Sequence, residues 1–116
     1  MVSAAYIPER GDVVWVQFSP QAGHEQAGRR AALVVSPRAY NDRVGLALVC
    51  PITSRAKGYP FEVMIPQPLK VSGVVLADQV KSVDWRARDA ELADRVPATV
   101  TLEALQKLGT LLAPAA

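Results

Sequence analysis

Apolar residues fall in short blocks separated by polar segments bearing glycine or proline, and only the end of the chain shows helical periodicity. "ERGD" signals a turn. The stretch after it, "VVWVQF" (Val13–Phe18), is rich in β-branched and aromatic residues and predicts a strand. Pro20 and Gly23 open a loop of about ten residues, long for a link between strands and of the kind that carries function on a rigid scaffold. "AALVVS" (Ala31–Ser36) and "GLALVCPI" (Gly45–Ile52) are continuous apolar runs that read as buried strands. Between them Ser36 and Pro37 make a cap and first turn for a brief helix. "TSRAKGYP" forms a second polar loop, "FEVMI" (Phe61–Ile65) alternates as a half-buried strand, and Gly73–Trp85 reads as a strand or a bent strand pair. Thr101 is placed as the cap of a terminal helix with Leu102, Leu105, Leu108 and Leu112 at helical spacing. Five or more short strands, one terminal helix and no βαβ rhythm predict a mainly β domain: a small, strongly bent, mostly antiparallel barrel.

The 116 residues suffice for one domain with a real core, spanning 1–116, and half of them are hydrophobic, which excludes disorder over the whole chain. No repeat is visible, and the "LAPAA" tail is expected to fray. The formal charge of +2 is compatible with a polyanionic partner without requiring one, and Lys and Arg are too scattered for a basic tail. The single cysteine, Cys50, excludes an internal disulfide framework and lies in an apolar run, where a buried inert thiol is expected. No apolar stretch approaches the ~18–20 residues of a membrane span, and the N-terminus lacks a signal-like apolar core. The expectation is a soluble cytoplasmic domain.

With one histidine and one cysteine, a catalytic triad would need His24 or Cys50, and neither sits in a partner motif. There is no P-loop, no dinucleotide fingerprint and no metal-ligand spacing. The remaining chemistry belongs to Arg, Glu, Thr, Asp and Lys. One polar loop holds His24, Glu25, Gln26, Arg29 and Arg30 at the entrance to a strand, and the other holds Thr53, Ser54, Arg55 and Lys57 beyond the end of another. If those strands are antiparallel neighbours, an arginine fork and a threonine hydroxyl converge, which resembles a phosphate clamp. On residue types alone, a solvated pair of loops is the simpler account.

"GDVVWVQFSPQAGHEQAGRRAALVVSP", then "VCPITSRAKGYPFEV" and "VLADQVKSVDWRAR", resemble the MazF/PemK family of toxin endoribonucleases in order and spacing, from about Gly11 to Arg88. The resemblance implies an SH3-like barrel forming a homodimer. It also implies metal-independent, cofactor-free cleavage of single-stranded RNA at short sequence motifs, restrained by a cognate antitoxin with an acidic disordered tail. Such an mRNA interferase blocks translation and growth. Carried across by motif, the catalytic arginine falls on Arg30, the catalytic threonine on Thr53 and the supporting acid on Glu25, while Gln79 lies near the RNA path. Arg29, Ser54, Lys57 and Phe18 are added as RNA-binding residues. Two positions depart from the family pattern: Arg29 stands where His is frequent, and Ala31 where Pro is frequent.

The implied reaction is attack by a ribose 2′-hydroxyl on the adjacent phosphate, leaving a 2′,3′-cyclic phosphate and a 5′-hydroxyl. Arginine is a poor base, so Glu25 is the better physical candidate, with His24 as the alternative. Trp15 is read as core packing rather than base stacking, Phe18 stands between the two, and Trp85 is assigned to the core or a dimer contact. A gyrase poison resembling the CcdB family and a non-catalytic RNA-binding barrel are the rival functions.

Overall fold

The apolar blocks form strands whose two faces are both covered, which is why they run as continuous hydrophobic stretches. Residues 6–18 and 28–114 are described in the computed structural model. Its elements are β1 (Asp12–Phe18), β2 (Gly28–Val34), α1 (Arg38–Val44), β3 (Ala47–Thr53), β4 (Glu62–Met64), β5 (Val74–Leu76), a 3₁₀ turn (Ala77–Gln79), β6 (Lys81–Val83), β7 (Glu91–Arg95) and α2 (Ala98–Leu112). Every strand pairing is antiparallel, in the order β4-β5-β3-β2-β1-β7, with β6 also joined to β3. The sheet bends like a small barrel, but among the described residues no ladder joins β4 to β7, so it is not closed.

Successive residues point to opposite faces of a strand. One set, Val13, Leu33, Cys50, Ile52, Val63 and Val75, packs with Val100 and Ala104 of α2. The other, Val14, Val16, Phe18, Ala32, Val34, Val49 and Val83, packs around Trp85. Trp85 is thus a core residue, and its indole N–H donates to the Asn41 carbonyl at 3.1 Å. Asn41 is itself buried; its amide donates to the carbonyls of Pro8 and Ser36 at 2.8 and 3.1 Å, while the Ser36 hydroxyl donates to Asn41 Oδ1. Ser36 therefore serves this network rather than capping α1, whose N-cap is Pro37. Near the chain start, the buried Asp12 carboxylate accepts from the Tyr6 hydroxyl, from the Glu9 N–H at 3.1 Å and from Arg95 Nε at 3.1 Å, tying β1 to β7.

Several sequence expectations change. β7 was not anticipated: "ELADR" is a charged edge strand with little alternation to reveal it. Helix α2 begins at Ala98, so Thr101 lies within it, buried, with its hydroxyl unpaired. The buried face of α2 is Val100, Thr101, Ala104 and Leu108, whereas Leu102 and Leu112 are exposed. Small residues at 101 and 104 let the helix approach the sheet closely, and that outweighs the leucine spacing. Trp15, expected in the core, is 42% exposed, whereas Phe18, expected at the RNA path, is only 2% exposed.

Gly73 shows how tightly β5 enters beside the end of β3. At φ +114° a Cβ there would sit 2.1 Å from the Thr53 carbonyl oxygen. Gly73→Ala is expected to cost at least about 2 kcal/mol in urea unfolding and to shift the Thr53 amide resonance. A second expectation concerns pH. Burial, then the nearby Asp78 charge, pushes the Cys50 thiol from 9.0 up to about 12, and burial together with Asp12 raises the Tyr6 phenol. The unfolded chain releases these protons first, so stability is full below about pH 9 and falls as pH rises towards 12. The stability difference between wild type and Cys50→Ala should therefore narrow by on the order of 2 kcal/mol between pH 8 and 11, measured by unfolding midpoints.

Candidate functional site

The site forms where two strands part. β2 and β3 pair in the register Val34↔Val49, Leu33↔Cys50 and Ala32↔Pro51. Carried two residues further, that register sets Arg30 across from Thr53 on the face shared by Ala32 and Pro51. Beyond Pro51, however, β3 turns to pair with β5 through Ile52↔Val75 and Thr53↔Val74, while β2 stays on β1 through Val16↔Arg30 and Gln17↔Arg29. The wedge between them opens into a groove of about 320 Å³ lined by Trp15, Arg29, Arg30, Ile52, Ser54 and Lys70, with Ala31, Val71 and Ser72 completing it.

Arg29 and Arg30 occupy successive positions and so point to opposite faces of β2. Both guanidinium nitrogens of Arg29 donate to the Asp89 carbonyl at 3.2 Å, and one also meets the Glu91 carboxylate in an ion pair. Asp89 has a left-handed φ of 53°, which turns its carbonyl towards the arginine. Arg29 thus holds β2 to the turn before β7 and has part of its charge already matched. Arg30 is half-buried at the groove.

Thr53 Oγ1 accepts the Arg55 N–H at 3.2 Å, which leaves its hydroxyl proton free to be donated to an acceptor. Thr53 sits at the strand end, and its neighbours Ile52 and Ser54 line the groove. The following loop is held by Glu62, whose carboxylate accepts the N–H groups of Lys57 and Gly58 at 2.9 and 3.0 Å. Lys107 of α2 donates to the Glu62 carbonyl at 2.7 Å, anchoring the loop base to the helix. This explains the "KGYPFE" spacing: the acid stiffens the segment next to Thr53. The sequence carried that signal, a Lys-Gly pair followed by Glu, but its structural meaning appears only in three dimensions.

The predicted residues therefore separate. Arg29, Arg30 and Ser54 share the groove, with Thr53 at its edge. Lys57 is exposed on the loop beyond, its ammonium 5.9 Å from the Tyr59 ring centre. Gln79 is half-buried in the 3₁₀ turn, away from the groove lining. Phe18 is not a stacking surface: it alternates inwards with Val14 and Val16, and Lys81 lies over its ring. Glu25 and His24 lie outside the described residues; the loop that carries them joins Phe18 and Gly28, which face each other at the end of the β1–β2 ladder. Cys50 is buried, and its raised pKa keeps it a neutral thiol, unsuited to nucleophilic attack. Trp15, read from the sequence as core packing, instead lies open at the groove wall. Among the described residues, no group of three or more His, Cys, Asp or Glu is placed to hold a metal ion, and no helix is long and apolar enough to cross a membrane.

Residues 9–112 match the family of PemK-like, MazF-like toxins of type II toxin-antitoxin systems. The chain is 53% identical over 85 residues to the endoribonuclease toxin MazF of Escherichia coli, covering 73% of this chain and 76% of that protein. A crystal structure of MazF from Deinococcus radiodurans superposes with a TM-score of 0.89 at 60% identity, covering 93% of this chain and 98% of that one. A MazE–MazF structure from the same organism gives a TM-score of 0.84 at 60% identity, covering 93% and 97%. The family match takes in β1 to α2 and with them the diverging strands, the groove and both polar loops, and the chain belongs to the PemK-like, MazF-like toxins of type II toxin-antitoxin systems.

Proposed function

We propose that this toxin is a sequence-specific endoribonuclease that cleaves single-stranded mRNA without a metal ion, and that it acts in the cytoplasm as a homodimer restrained by an antitoxin. The observation that supports the reading is the β2–β3 register, which, carried two residues past its last pair Ala32↔Pro51, aligns Arg30 with Thr53 where the strands open. The endoribonuclease name of the Escherichia coli relative supports the activity. The MazE–MazF structure supports an antitoxin partner, and a cationic groove suits an acidic peptide that orders on binding.

In this mechanism the nucleophile is the substrate's own ribose 2′-hydroxyl, which distinguishes RNA from DNA. The hydroxyl attacks the adjacent phosphorus as its proton passes to the base, the bond to the 5′-oxygen of the next nucleotide breaks, that oxygen takes a proton from water, and the products carry a 2′,3′-cyclic phosphate and a 5′-hydroxyl. Arg30 places a permanent planar charge on the phosphate oxygens as they gain charge. Thr53, its oxygen already accepting from the Arg55 N–H, donates a hydrogen bond to a non-bridging phosphate oxygen. Alignment of this kind can lower a barrier by ~7–11 kcal/mol. Glu25 takes the 2′-hydroxyl proton, with His24 the alternative base. Lys57, Ser54 and Gln79 guide the strand on either side of the cut.

Purified protein incubated with a long single-stranded RNA should yield discrete fragments with 5′-hydroxyl ends, unaffected by EDTA. Intact RNA retained by the protein would instead indicate a binding module. Arg30→Ala and Thr53→Ala are each expected to lower the cleavage rate by at least about 10²-fold while the protein stays folded by circular dichroism. Arg29→Ala, already paired with Glu91, should cost less than about tenfold. In a pH–rate comparison, Glu25→Ala should abolish the acidic limb, the rise in rate as the base loses its proton, that His24→Ala leaves in place.

A further inference from the structure

The groove beside Arg30 is larger than one phosphate needs, and its far wall is unused by the chemistry above. Trp15 faces into it from β1, 42% exposed, whereas the protein's other tryptophan is buried in the core at 3%. An indole held in a strand with its surface open is a rigid platform for a planar ring. Across from it stand Lys70 and Ser72, from the segment linking β4 to β5. That segment is tied down through its main chain, because the Lys70 N–H donates to Asp94 Oδ2 at 2.8 Å. Asp94 also accepts the Arg95 N–H at 2.8 Å, and these backbone bonds hold its carboxyl below the usual range. Asp94 thus fixes the loop chiefly through backbone donors, with a smaller attraction from the Lys70 charge, and Lys70 is exposed in the groove lining.

We propose that this groove is a nucleotide subsite flanking the scissile phosphate, in which Trp15 stacks on one base while Lys70, with Ser72, holds the neighbouring phosphate. The proposal rests on the RNA-cleaving reading and names the side chains that grip the strand beside the cut. An exposed ring and Lys70 in the lining of one groove of about 320 Å³, beside Arg29 and Arg30, match the alternation of base and phosphate along a single strand. An acidic peptide could meet the cation but supplies no regular planar partner for the indole.

The test uses the full chain and a single-stranded oligonucleotide carrying a 2′-deoxy nucleotide at the cleavage position, which binds without being cut. Acrylamide quenching of tryptophan fluorescence reports Trp15 because Trp85 is buried, and the bound oligonucleotide should remove most of it. Trp15→Ala should weaken binding roughly 5- to 150-fold, with Trp15→Phe recovering most of the loss. Lys70→Ala should lower the slope of log affinity against log salt by about 0.7, the contribution of one phosphate contact on a single strand, and Lys70→Arg should restore it. Quenching that persists in the complex, or a Lys70→Ala slope equal to that of wild type, overturns the subsite while leaving cleavage by Arg30 and Thr53 standing. Failure of the wild-type protein to bind the oligonucleotide overturns the RNA reading and the subsite together.

Discussion

The divergence of β3 from β2 beyond the Ala32↔Pro51 pair is the constraint on which the site depends. Up to that point the two strands share a ladder and have both faces buried. After it, β3 exchanges one partner for another, and the chain meets the problem every splayed sheet has: unpaired backbone and an open apolar edge. β5 solves the first part by taking over Ile52 and Thr53. Its approach is so close that only a glycine fits at position 73 against the Thr53 carbonyl. The second part is left unsolved as a groove. A slip of one residue in the β2–β3 register would turn Arg30 and Thr53 to opposite faces, so the packing of Leu33, Val34, Val49 and Cys50 sets the geometry of the proposed site indirectly.

The two adjacent arginines show how period-two geometry divides labour between identical side chains. Arg29 is claimed by the Asp89 carbonyl and Glu91 and fastens the end of β2 to the edge of the sheet. An exposed pair of this kind contributes only about 0–1 kcal/mol, so its value lies in orienting the strand end. Arg30 faces the other way, on the side of Val16 and Ala32, and it too reaches the groove lining. Neither charge pattern nor composition distinguishes the pair; the strand does.

What could be read from the chain follows the same physics. The strands near Val13–Phe18 and Gly45–Ile52 were legible because β-branched runs bounded by glycine and proline have few alternatives, and the ordered motifs around Arg30 and Thr53 pointed to the family. The facing of residues inside those runs was not legible. When both faces of a strand are buried, alternation vanishes, and Trp15 and Phe18 could not be told apart by pattern. The structure reverses them: Phe18 fills the core with Trp85, while Trp15 lies where β1 flanks the opening and has only small Ala31 beside it on β2. The supports at Glu62 and Lys70 were hidden for another reason. Each acts through main-chain hydrogen bonds, Glu62 by accepting them and Lys70 by donating one to Asp94, and residue type alone does not reveal such bonds.

These supports bear on why so small a domain can place charges accurately. Arginine and threonine provide no covalent chemistry and no proton shuttle, so a rate enhancement built on them depends on how little they move as charge builds on the phosphate. Loops would be poor carriers for that task. Here Arg30 and Thr53 both lie on strands, and the loop after Thr53 is closed at its far end by the Glu62 carboxylate and tied to α2 by Lys107. The segment opposite is pinned to β7 by Asp94. Rigidity is therefore supplied from three directions around a gap that packing alone would close.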